Sequence, residues 1–124
     1  MIDSVTIPFE RVRILKGNLK KIKELENLCN AKISIRENEI FIECEDVLKL
    51  LRLKEIFNAF GRGFSFKDSM LLLDEDFYLR VINLKEYAKT KKRMVVLKGR
   101  VIGRDGKIKR MIEKLTKTKL SIYG

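Results

Sequence analysis

The chain has 124 residues, 45% hydrophobic and 36% charged, with one proline and seven glycines. That composition supports a packed core in one ordinary domain or two small ones, and excludes a disordered chain. The formal net charge is +11 and histidine is absent, which removes the commonest general base and leaves an enzyme with little to work with.

No charge-free apolar run is long enough to span a bilayer, and Met1 to Arg11 lacks a secretory apolar region. A soluble, cytosolic protein is expected. Ser4 to Pro8 reads as a short strand. Phe9 to Lys16 reads as a helix with Phe9, Val12 and Leu15 at helical spacing, broken at Gly17. A second helix runs from about Leu19 to Cys29, with Leu19, Ile22, Leu25 and Leu28 on one face and Asn30 as its stop.

Two alternating segments follow. Ile33 and Ile35 share one face, and Ile40 and Ile42 form the matching pair after a turn at Arg36–Glu39. Asn38 is the residue expected to tolerate the left-handed region there. Asp46 then caps a long helix to about Phe60, with Val47, Leu50, Leu51, Leu53, Ile56, Phe57 and Phe60 as its apolar stripe. Cys29 and Cys44 lack further metal ligands at zinc spacing, and read as two buried thiols in a reducing compartment. No metal and no cofactor are expected.

Gly61-Arg62-Gly63 ends that helix and opens a connector. Lys67 to Glu75 is expected to be helical, Phe77 to Ile82 a strand, and Lys85 to Lys98 a basic helix. Asp74, Glu75 and Asp76 are adjacent in sequence, so on a helix they fan out and make a poor metal cluster. Lys107 to Lys117 reads as a helix with Ile108, Met111, Ile112 and Leu115 inward, and Lys119 to Tyr123 as a strand.

The charge is divided sharply. Residues 85–124 carry the whole net charge of +11, while residues 1–84 balance to zero. A step of that kind points to a polyanion site on one half. At its centre is Val101-Ile102-Gly103-Arg104-Asp105-Gly106-Lys107-Ile108, two glycines three apart before a basic helix. Glycine permits a tight turn and close backbone approach. The amides and dipole at the start of a helix favour an anion. Asp105 is expected to cap that helix.

The halves also resemble each other. Gly17 can be laid on Gly103, Lys21-Ile22-Lys23 on Lys107-Ile108-Lys109, and Ile33 on Leu120, which suggests duplication. A glycine turn between two helices within β-α-α-β-β-α resembles the KH domain of eukaryotic-type topology. The linker GRGFSFKDSMLLLDEDFYLRVINLKEY and the stretch KGRVIGRDGKIKRMIEKLTKTKLSIYG resemble the archaeal two-KH-domain pre-rRNA-processing proteins of the partner-of-Nob family. The resemblance implies an α+β chain with a first KH-like domain at 1–61, a linker with a short helix at 62–76, and a second KH domain at 77–124. In the first, Lys20 replaces the second glycine, so the loop is degenerate and Leu19 is expected in the core. The second stops short of its last strand and helix, as a truncated or completed-elsewhere domain would.

What the resemblance implies for function is single-stranded RNA binding near the 3′ end of small-subunit rRNA, in ribosome assembly. A PIN-domain rRNA endonuclease and a translation initiation factor are the implied partners. Phosphates would pass over Gly103–Gly106 past Arg104, with Asp105 in the loop, Lys107 and Arg110 behind it, and Lys98 and Arg100 extending the path. Val101, Ile102 and Ile108 would floor the groove under the bases, and Lys119, Leu120 and Ile122 would face their Watson–Crick edges. The rival reading is a protein-interaction adaptor, for a translation factor or the processing nuclease, with only non-specific RNA affinity.

Overall fold

A computed structural model describes all 124 residues and divides them into two compact units, Met1–Leu79 and Arg80–Gly124. In the first, the order is β1 (Ile2–Thr6), α1 (Phe9–Lys16), α2 (Leu19–Cys29), β2 (Lys32–Arg36), β3 (Glu39–Glu43) and α3 (Val47–Gly61). The strands form an antiparallel sheet in the order β1-β3-β2, with Val5 opposite Ile40 and Ile33 opposite Ile42. This is the expected β-α-α-β-β-α arrangement.

Local chemistry places each element. Pro8 fixes the entry to α1. Asn30 ends α2 in the left-handed conformation, its amide donating to the Glu26 carbonyl. Asp46 caps α3 by accepting from the amides of Leu48 at 3.0 Å and Lys49 at 3.3 Å, an arrangement worth about 1 kcal/mol. In the β2–β3 turn it is Glu37, not Asn38, that takes a positive φ of 55°. Asn38 serves a longer-range purpose. Its side-chain amide donates to the Ile7 carbonyl and its own carbonyl accepts from the Ile7 amide, both at 3.0 Å, pinning the end of β1 to the hairpin.

One face of the sheet is covered by the helices. Ile40 and Ile42 meet Leu15, Leu25, Leu53, Ile56, Phe57 and Phe60 in a core where all are fully buried. Val47, Leu51, Leu28 and Leu19 stay exposed, so the buried stripes of α2 and α3 are narrower than the apolar pattern suggested. Gly61 lies against Ile7, and a Cβ there would stand 2.9 Å from the Ile7 Cγ2. Arg11 ties α1 to the end of α3. Its guanidinium donates to the carbonyls of Phe60 at 3.0 Å and Phe64 at 2.7 Å and lies 4.3 Å from the Phe60 ring centroid.

The segment expected to be a linker belongs to this core. α4 (Phe66–Ser69), capped by Ser65, runs into a 3₁₀ turn at Met70–Leu73. Phe66 is buried with its ring edge-on to Phe57 and Phe60, and Leu72 is buried as well. Both cysteines are buried free thiols. Burial pushes the Cys29 thiol above its ordinary range, helped by the charges of Cys44 and Asp46 and opposed by Lys49.

The second unit is helical. α5 (Lys91–Ile102) starts at Thr90, whose hydroxyl accepts from the Arg93 amide at 3.1 Å. The expected helix from Lys85 is therefore only a 3₁₀ turn at Leu84–Glu86 before a new start. α6 (Lys107–Thr116) ends at Lys117 in the left-handed conformation. Phe77–Ile82 and Lys119–Tyr123 are not strands. In the first unit both outer strands pair only with β3, and the second unit has no counterpart for them to join. The apolar residues expected inward on α6 consequently remain open, with Ile108, Met111 and Leu115 exposed and Ile112 half-buried.

Candidate nucleic-acid interface

The loop between α5 and α6 uses its two glycines differently. Gly103 has φ 72° and ψ 179°, a region reserved for glycine, and a Cβ there would stand 2.9 Å from the Ile108 amide nitrogen. It lets α5 turn directly onto the first turn of α6. Gly106 has φ 73° and ψ 14°, and the only atom near a Cβ there would be the mobile end of Arg110, at 3.2 Å. Gly106 leaves the loop's outer side open.

Asp105 does not cap α6. It takes φ 54° and ψ 28° itself, which moves the N-cap to Gly106, a residue without a side chain, and no side chain bonds the first turn. The start of a ten-residue helix is thus uncovered. Arg100, Arg104, Lys107 and Arg110 are exposed around it. Together they place four cations around an uncapped helix start, a setting suited to a phosphate. Lys98 is more constrained, its ammonium donating to the Gly124 backbone oxygen at 2.6 Å.

The expected groove floor is open. Ile102 and Ile108 are exposed, and Val101, Leu120 and Ile122 are half-buried, so these residues do not form a closed core. Lys119 is exposed. The segment that was to present base-reading edges is held by a residue that sequence reasoning missed. Leu120 donates its amide to the Glu113 carboxylate at 3.0 Å.

The same bond occurs in the first unit, where Ile33 donates its amide to the Glu26 carboxylate at 3.0 Å. The surroundings also correspond. Asn30 and Lys117 both adopt the left-handed conformation, and the next amides, of Ala31 and Thr118, return to the carbonyls of Glu26 and Glu113. The corner that follows the helix has one geometry in both units. The helix-to-helix turn does not. Gly17 has φ −75° and ψ −8°, ordinary right-handed values, and Asn18 closes the turn with its side-chain amide on the Ile14 carbonyl at 2.8 Å. The φ there does not require glycine, and a Cβ would stand 3.3 Å from the Ile14 carbonyl oxygen. Beside it lies a groove of about 360 Å³ lined by Leu19, Ile22, Ile33 and Ile35, with Lys16, Lys23 and Glu26 at its margins. Leu19, expected in the core, is exposed on that groove.

A prediction separates the two turns. Gly103→Ala is expected to cost about 1–3 kcal/mol through backbone strain and to add a clash with Ile108. Gly17→Ala, with ordinary φ and only a tight approach to the Ile14 carbonyl, should cost less than about 1 kcal/mol. Residue-level hydrogen exchange of the intact chain reads both, with protection falling in α5 and α6 for the first variant only.

Comparison with known proteins places this geometry. Residues 78–124 match the profile of a eukaryotic-type (type I) KH domain, that of the second KH domain of PNO1 proteins. A KH domain-containing protein of Methanocaldococcus jannaschii is 36% identical over 131 residues, covering 99% of this chain and 57% of the relative. The pre-rRNA-processing protein PNO1 of Chaetomium thermophilum is 29% identical, covering 97% and 50%. This chain therefore spans about half the length of the curated relatives it matches. Dim2p of Pyrococcus horikoshii is 34% identical and superposes over the whole chain with a TM-score of 0.85, across 76% of its own length. The same protein in a complex with a/eIF2alpha and rRNA gives a TM-score of 0.84 across 72%. With that identity sustained over three quarters of a solved relative, and the KH profile falling on the very loop that the glycines build, the chain belongs to the PNO1/Dim2 family of KH-domain proteins.

Proposed function

We propose that this chain binds single-stranded RNA through the Gly103–Gly106 loop, near the 3′ end of small-subunit rRNA, during ribosome assembly and pre-rRNA processing. The observation that carries the reading is the uncapped start of α6 behind an open Gly106, ringed by Arg104, Lys107 and Arg110. KH modules clamp about four nucleotides against such a loop. Supporting it are the rRNA in the complex of the Pyrococcus relative and the pre-rRNA processing in the name of the fungal one. Cations set affinity along the path Lys98, Arg100, Arg104, Lys107 and Arg110, while Lys119, Leu120 and Ile122 meet the bases.

We read the chain as two KH units, the first with a degenerate turn. The repeated Glu26–Ile33 and Glu113–Leu120 bonds support duplication, and the right-handed turn at Gly17 supports loss of the RNA loop. The apolar groove beside Leu19 suits a protein partner better than a phosphate chain. A translation initiation factor, as in the Pyrococcus complex, or the PIN-domain endonuclease would be that partner.

The test is a titration of the chain with a short single strand matching the rRNA 3′ end and with scrambled controls, over a range of salt. Clamping three or four phosphates predicts that log K falls by roughly 2 to 3 per log unit of salt, with matched RNA bound more tightly than scrambled. Weak binding that is indifferent to sequence and erased by salt would instead favour the adaptor.

A further inference from the structure

Glu113 is the one acidic residue of α6. It is half-buried and forms no ion pair, although Lys109 and Arg110 stand one turn before it on the same helix. One carboxylate oxygen accepts from the Leu120 amide at 3.0 Å, and the other has no hydrogen-bond partner. With one oxygen still open, this carboxylate repels phosphate and can accept from a ligand that carries donors.

The bond to Leu120 changes what the segment Lys119–Ile122 offers. Free, the Leu120 N–H would be a donor and would match base acceptors. Masked by Glu113, the same place presents an acceptor with a full negative charge. The related carboxylate in the first unit shows the orientation: Glu26 makes the identical bond to Ile33 and lines the groove that Ile33 and Ile35 floor.

We propose that Glu113 is a specificity-determining residue that selects guanine, resting on the assignment of RNA binding to the Gly103–Gly106 loop. The Watson–Crick edge of guanine carries two adjacent donors, N1–H and the N2 amino group, which a carboxylate accepts together, the oxygen held by Leu120 using its second lone pair. Adenine and cytosine each place one amino donor beside a ring-nitrogen acceptor, and uracil flanks its single N–H with two carbonyls. In those three an acceptor faces the carboxylate and is repelled.

The experiment measures binding of the whole chain by fluorescence anisotropy to eight-nucleotide strands of uridine carrying one central guanosine, adenosine or cytidine. The guanosine strand should bind about tenfold tighter or more, the discrimination of a bidentate side chain–base pair. Glu113→Gln keeps an oxygen for the Leu120 amide, so a purely structural tie survives the change. Guanosine preference should nevertheless fall below about threefold in that variant, as one base donor now faces an amide NH₂. Glu26→Gln should leave the preference intact. RNA binding with no guanosine preference, or with a preference that Glu113→Gln does not reduce, overturns the role of Glu113 alone. Failure of the unaltered chain to bind any of the strands at low salt overturns it together with the RNA-binding assignment.

Discussion

Replacing Gly106 with Asp, or Arg104 with Asp, is expected to abolish single-stranded RNA binding while the chain stays folded, with the melting temperature nearly unchanged for Arg104→Asp and lower by several degrees for Gly106→Asp. Both positions lie on the open side of the loop, with no buried contact to lose. Gly106 has positive φ, and Asp tolerates the left-handed region better than most residues. The strain that remains is at the low end of about 1–3 kcal/mol. For the ligand the change is severe. A carboxylate about 4 Å from a phosphate costs about 1 kcal/mol in a watery setting and about 4 kcal/mol at the effective dielectric of a protein surface. That corresponds to a loss of roughly fivefold to nearly a thousandfold, and Arg104→Asp removes an attraction as well. Anisotropy titrations beside thermal melts give both readouts. Retained affinity in either variant would mean that RNA passes elsewhere, and Lys20→Ala, on the degenerate turn, should leave affinity within about twofold.

The largest effect on stability should come from Phe57→Ala. Phe57 is fully buried and meets Phe66 edge-on with ring centroids 6.2 Å apart. Truncating such a side chain costs about 3–5 kcal/mol, part transfer and part cavity. A unit of this size holds roughly 4–12 kcal/mol in total, so between a quarter and all of its stability is at stake. Urea melts should show the midpoint falling steeply, together with the loss of near-ultraviolet aromatic dichroism. Leu48→Ala, on the same helix but 73% exposed, should shift the midpoint by under about 0.5 kcal/mol. A small effect of Phe57→Ala would mean that α4 is not seated on α3 as described.

Much of this was legible because it is local. Asp46 before an apolar helix, the alternation at Ile33, Ile35, Ile40 and Ile42, and Asn30 as a stop each depend on neighbours a few residues away. The glycine spacing at 103 and 106 likewise announced a special turn. What the sequence could not convey depends on partners. Phe77–Ile82 and Lys119–Tyr123 alternate as strands do, yet a strand exists only in a ladder. Leu19, Val47 and Leu51 extend apolar stripes that the sheet is too small to cover. Asp105 has the right chemistry for a cap, but the positive φ at its own position puts Gly106 in that place. Arg11 reaches carbonyls 49 and 53 residues away, and no spacing rule reveals that. The Glu26 and Glu113 bonds were within reach, since each spans seven residues in both halves.

The Glu26 bond also bears on how copies of this protein behave when crowded together. β2 is an outer strand of the sheet, and Ile33 sits on its unpaired side. An outer strand with two isoleucines is an invitation for another molecule's strand to add on and begin a stack. Here the first amide that a newcomer's carbonyl would need is already held by a carboxylate. The newcomer meets a negative charge where it needs a hydrogen, and each further copy would meet the same. Growth of the sheet along β2 is thereby opposed at its first outward amide by one side chain reaching back from a helix.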